Sequence, residues 1–139
     1  MKPLPNPARL RRLPKRFSWL DHRLLRDGHL QACGSPEALA LYLVLACAAD
    51  ARGLSYYSDK RLTKILALPS SRLSQARRCL IDNDLIAWHQ PHYQVLCLDP
   101  ETIREAQLRD PAQQQDRSRQ LMSVQEALQQ ITQSISSHD

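Results

Sequence analysis

The chain is poor in glycine, with 3 among 139 residues. Glycine supplies the left-handed positions of tight turns, so its scarcity argues against a sandwich or barrel built on many hairpins. Aromatic residues are also few, at 5%. The longest apolar run, Ala38–Ala49, is too short to cross a bilayer, and no membrane partner is expected. None of the four cysteines (Cys33, Cys47, Cys79 and Cys97) stands in a Cys-x-x-Cys pair. Cys47, Cys79 and Cys97 fall in apolar periodic segments, where a free thiol behaves as a small hydrophobe. The four are expected to be reduced core residues of a cytoplasmic protein. The N-terminus is basic but lacks the apolar stretch and small-residue cleavage site of a signal peptide. There is no Gly-rich phosphate loop, no Gly-x-Ser-x-Gly and no His-Glu-x-x-His. Asp82 and Asp84 lie two apart near a predicted helix end and read as capping and solvated groups, not as an acid/base pair. His89 and His92 straddle a Pro-containing turn, and with Cys97 they make a poor metal set that lacks a fourth ligand. The expectation is a chain with no catalytic role, no cofactor and no metal.

What is present is positive charge, unevenly placed. Residues 1–80 carry 15 Lys/Arg against 5 Asp/Glu, and residues 81–139 carry 4 against 9. Clustered cations favour a polyanion partner through counterion release, whereas a solvated basic face is the plain alternative. Residues 1–16 hold Lys2, Arg9, Arg11, Arg12, Lys15 and Arg16 with no acid, among Pro3, Pro5, Pro7 and Pro14. Those prolines forbid a helix across the segment. An extended, mobile arm is expected, of the kind that enters a minor groove or lies along phosphates; an ordinary disordered terminus is the alternative.

Further along, Ser18 followed by Trp19, Leu20, Leu24 and Leu25 predicts a helix over 18–26, with Trp19 as a core anchor. Residues 28–34 read as loop. Ser35-Pro36-Glu37 is a helix start, and the run to Asp50 is apolar nearly all round, as a buried helix is. Leu54–Tyr57 is short enough for one small strand. Ser58 then caps a helix to about Leu66, with Leu62, Ile65 and Leu66 inward and Lys60, Arg61 and Lys64 outward. Leu68-Pro69 makes a turn. Ser70 or Ser71 caps a further helix to about Asn83, with Leu73, Ala76 and Leu80 inward. Its outward residues are Ser71, Arg72, Ser74, Gln75 and Arg78, with Arg77 at the boundary. Residues 85–89 and 93–98 alternate as two strands. Helix, turn, helix and hairpin in this order are how a winged helix-turn-helix presents a helix to the major groove.

From Glu37 to Leu98 the chain resembles the winged helix-turn-helix domains of bacterial and plasmid replication initiators and related transcription regulators. The matching residues are Ala40-Leu-Tyr-Leu-Val-Leu, Ala49-Asp-Ala-Arg-Gly53, Ser58 with Leu62 and Leu66, and Ser70 with Ala76 and Leu80-Ile-Asp-Asn-Asp-Leu-Ile86. Such domains usually carry Gly where this chain has Asp84, a position that often needs φ > 0 and that Asp tolerates better than most residues. The resemblance implies a mainly α, α+β winged-helix fold, a helical bundle with a small β-hairpin wing. It also implies double-stranded DNA as partner, with Ser70–Arg78 as the recognition helix. Arg72 and Arg78 then pair with guanine and Gln75 with adenine. Ser70, Ser71, Ser74, Lys60, Arg61 and Lys64 suit phosphate, and Arg77, at the boundary of the outer face, is counted among the DNA-binding residues. The segment Trp88–Tyr93 has no Lys or Arg, so this wing is expected to complete the fold more than to clamp DNA. The second contact passes to Arg9, Arg11 and Arg12 of the arm.

Asp99-Pro100 marks the expected end of a 17–99 domain, followed by a 100–139 tail with a short helix at 101–109. The tail is Gln-rich, yet Leu121, Val124, Leu128, Ile131 and Ile135 recur at spacings of three and four. That is a heptad seam of barely two repeats, suited to a homodimer or a partner helix; the alternative is a solvated helix that docks on its own domain or frays. The function expected is sequence-specific DNA binding by a transcriptional regulator or a plasmid or mobile-element accessory. The alternatives are an interaction adaptor in a replication or transposition assembly and a small replication initiator.

Overall fold

The computed structural model describes residues 3–109 and 128–132. The chain divides into two units, Met1–Leu98 and Asp99–Asp139. The first is an α+β unit with helices α1 (Arg23–Arg26), α2 (His29–Cys33), α3 (Pro36–Ala48), α4 (Asp59–Leu66) and α5 (Ser70–Asp82). Strands β1 (Leu54–Tyr56), β2 (Ile86–His89) and β3 (His92–Val95) form one antiparallel sheet in the order β1-β3-β2. Ile86 faces Val95 and Tyr56 faces His92 across its two ladders. In the second unit α6 spans Pro100–Arg109, and residues 128–132 are helical.

Helix α3 is the centre of the first unit. Ser35 caps it by accepting from the Ala38 amide at 3.2 Å, and Pro36 opens it with a pre-set φ. Its inner side buries Ala38, Leu41 and Leu45 against Leu73 and Leu80 of α5, Leu62 of α4, and Leu85, Ile86 and Tyr93 beside or within the sheet. The sheet is tied to the end of α3 through a tight loop. There the Asp50 carboxylate accepts from the amides of Arg52 and Leu54, at 2.8 and 2.9 Å. Gly53 in that loop has φ +82°, and its carbonyl accepts from Val95 N at 2.8 Å. A Cβ there would meet the Val95 carbonyl oxygen at 2.5 Å, so glycine is required both for φ and for this close approach.

Several sequence expectations are corrected. The helix placed over 18–26 begins only at Arg23, because the Asp21 carboxylate takes the Arg23 amide at 2.9 Å. Ser18 does not cap it; its hydroxyl donates to the Cys47 carbonyl at 3.1 Å, one of the spare acceptors at the end of α3. Residues 18–21 therefore form no helix, and Trp19 is no core anchor but 76% exposed. The loop expected over 28–34 contains α2, bracketed by left-handed Gly28 and Gly34. Those two glycines are the helix's boundaries, not a sign of irregular chain. Helix α3 is not buried all round: Leu43 and Cys47 are exposed, because its neighbours cover one side only. Cys97 is exposed as well, Cys79 is half-buried, and Cys33 alone of the four is buried. Ile65 is exposed, because in the eight-residue α4 burial falls on Leu62 and, in part, on Leu66. Neither Ser70 nor Ser71 caps α5. Pro69 stands at the cap position with no side-chain bond, and both serines lie in the first turn. The arm contains one 3-10 turn, Pro7–Arg9, where no helical piece was expected.

Candidate nucleic-acid interface

Helices α4 and α5 are joined by Ala67, Leu68 and Pro69. Ala67 takes the left-handed conformation, φ 53° and ψ 43°, and its amide bonds back to the Thr63 carbonyl. That reversal ends α4 within one residue and lets α5 start at once. Ser58 holds the other end of α4 by accepting from the Arg61 amide at 3.2 Å. Lys60, Arg61 and Lys64 are all exposed on α4. Lys60 and Lys64 have no ion pair among the described residues, and the Arg61 guanidinium lies 4.8 Å from the Tyr57 ring centre.

On α5 the inward residues are Leu73, Ala76 and Leu80, as the spacing predicts. Ser70, Ser71, Arg72, Ser74, Gln75 and Arg78 are exposed. No carboxylate occurs on this helix before Asp82. The uncapped first turn adds free amide donors and the positive end of the helix dipole at Ser70 and Ser71. Two of the exposed cations are engaged. Arg72 Nη1 lies 2.6 Å from Glu37 Oε1, and Arg78 Nε lies 3.4 Å from Asp82 Oδ1. Both pairs are solvent-exposed, so each is worth at most about 1 kcal/mol and yields readily to a stronger anion.

Arg77 departs from expectation. The sequence counts it among the DNA-binding residues at the edge of the outer face, but it is 6% exposed and faces the β2–β3 hairpin. Its Nε donates to the Tyr93 hydroxyl at 2.9 Å, and its Nη2 pairs with the Asp59 carboxylate. Its guanidinium stacks over Trp88 at 4.1 Å and reaches Tyr93 at 5.7 Å. A planar, delocalised cation suits such a site better than an ammonium. Arg77 thus ties α5 to the start of α4 and to both strands of the hairpin, and it leaves the set of residues open to a ligand. The available signal was helical spacing: Arg77 follows Leu73 by four, the same row as the buried stripe. Its partners Asp59, Trp88 and Tyr93 carried no such signal.

The hairpin presents His89 and His92 opposite each other at its tip, with Tyr56 edge-on to His92 at 5.3 Å. Among the described residues no group of three metal-ligating side chains occurs. In the arm, Arg9, Arg11 and Arg12 are exposed. Of the heptad positions, Leu128 and Ile131 are exposed on a helical segment, whereas Leu121, Val124 and Ile135 lie outside the described residues. No helix among the described residues is long and apolar enough to cross a membrane. In comparisons with known proteins, no family model, curated protein or solved structure matches this chain.

Proposed function

We propose that the chain binds double-stranded DNA in a sequence-specific way, as a winged helix-turn-helix with α5 in the major groove. The observation that carries this reading is the outer side of α5, where Ser70, Ser71, Arg72, Ser74, Gln75 and Arg78 stand exposed with no acid before Asp82. Arg72, Gln75 and Arg78 have the donor geometry for base edges, and the serines and the α5 N-terminus suit phosphates. Lys60, Arg61 and Lys64 supply backbone contacts from α4. The wing carries no Lys or Arg, so Arg9, Arg11 and Arg12 supply the second basic contact. A transcriptional regulator or an accessory to a plasmid or mobile element fits this scheme, with two copies joined through the C-terminal heptad seam. The exposed Leu128 and Ile131 also favour a second reading, an adaptor that holds a protein partner by that helix.

Gel-shift titration on random duplex at several salt concentrations is the test. Binding should weaken steeply with salt as counterions are released. The R72A/R78A double variant should bind at least about tenfold more weakly, since each base-reading arginine is worth about 1–3 kcal/mol. Lack of binding at low salt would remove the reading and leave the adaptor.

A further inference from the structure

Cys33 ends α2, and Cys79 lies in the last turns of α5, 46 residues further along the chain. Their sulfurs are 3.2 Å apart. The Cys79 thiol also reaches the Cys33 carbonyl at 3.0 Å, and Asn83 Nδ2 stands 3.8 Å from the same sulfur. The two thiols differ in access: Cys33 is buried, and Cys79 is half-buried. Burial, reinforced by the hydrogen bond with Cys79, pushes the Cys33 thiol up to about 11. Cys33 is therefore a poor opening nucleophile at neutral pH, and Cys79 is the accessible member of the pair.

We propose that Cys33 and Cys79 form a thiol–disulfide site, which a small disulfide of the glutathione class oxidises to a bridge between α2 and α5. The Cys79 thiolate attacks one sulfur of the small disulfide. That S–S bond breaks, and one small thiolate leaves with the electron pair. Cys33 gives up its proton and attacks Cys79 Sγ in the mixed disulfide, expelling the second small thiolate. Two protein thiols are oxidised, and the small disulfide is reduced to two thiols that take up the two protons. A disulfide is about 2.05 Å long, so from 3.2 Å the sulfurs approach by about 1 Å. The bridge closes a loop that contains α3, β1, α4 and most of α5. Closing so long a loop restricts the unfolded chain most, and the oxidised form should be the more stable one.

The test uses the full chain carrying C47S and C97S, which removes the two exposed thiols. It is exposed to oxidised glutathione, trapped with an alkylating agent and mapped by mass spectrometry. The expected product is about 2 Da lighter than the reduced chain, as two hydrogens are lost. It should resist alkylation, yield a Cys33–Cys79 cross-linked peptide and return to the dithiol with a reducing agent. Its melting temperature should rise by at least about 5 °C. Adding C33S should leave glutathione stably held on Cys79. Three results overturn the proposal: both thiols still alkylated after prolonged exposure, glutathione retained on both without a bridge, or a bridged chain that melts below the reduced one.

Discussion

Arg77 is the residue on which the β2–β3 hairpin depends. One side chain satisfies the Tyr93 hydroxyl, pairs with Asp59 and stacks on Trp88, so its removal loses three contacts at once. Because Asp59 is half-exposed, its carboxylate rehydrates when the partner is lost, and the cost falls mainly on Tyr93 and the stack. Arg77→Met should lower stability by about 2 kcal/mol, read as a shifted urea midpoint at constant slope. Arg77→Lys keeps charge but not planarity and should recover about half of the loss. The lysine variant, once folded, should bind DNA as the parent does, because Arg77 offers nothing to a ligand. Asp50 is a second such residue. Hydrogen bonds from the Leu54 and Arg52 amides hold its carboxyl below the ordinary aspartate range. A carboxyl lowered in the fold contributes stability above its unfolded pKa and loses it as pH falls through the lower, folded value. Acid titration of thermal stability should therefore show a falling limb below the usual Asp range. Asp50→Asn should flatten that limb and lower neutral-pH stability by about as much as the parent loses in acid, because a neutral amide oxygen accepts as a protonated carboxyl does.

At the scale of elements, the turn between α4 and α5 sets how the second helix leaves the first. Ala67 holds φ 53° there without the freedom of glycine. A left-handed alanine costs about 1 kcal/mol or more. Ala67→Gly should therefore raise stability by about 0.5–1 kcal/mol, and the melting temperature by a few degrees. Asp84, at φ 58°, should gain less from the same change, since its short polar side chain tolerates that region better. If Ala67→Gly lowers the melting point, the turn is not strained. Element positions from α3 onward were largely legible in the sequence. Ser35-Pro36-Glu37, Ser58 and the Leu73–Ala76–Leu80 stripe are local signals, and each governs the element it begins or faces. The N-terminal stretch was misread for the opposite reason. Ser18 had a local use as a cap, but a carbonyl at the end of α3 offered it a longer-range one.

For the whole molecule, charge and the C-terminal seam carry the consequences. The basic excess lies in residues 1–80 and the acidic excess in 81–139, so a polyanion would be drawn to the first part and repelled by the second. On the proposed function, the tail pairs two copies. Leu128 and Ile131, three residues apart on a helical segment, are exposed in the single chain and gain from burial against a partner. Light scattering should give a dimer for the full chain and a monomer after deletion of residues 112–139. A full chain that stays monomeric at high concentration removes the pairing. Half-site recognition by a dimer should also make deletion weaken binding to a palindromic site more than to random duplex.

The sequence by itself determined the order of helices and strands from Pro36 to Val95, the identity of the α5 core stripe and the imbalance of charge. These depend on periodicity, capping and composition, which are properties of neighbours along the chain. The tertiary structure decided which cations stay open to a ligand. It enclosed Arg77 between Tyr93, Trp88 and Asp59, set Arg72 against Glu37, and brought Cys33 to Cys79. Each of those pairings joins residues at least 11 positions apart, and no local period records which distant side chain a folded helix will meet.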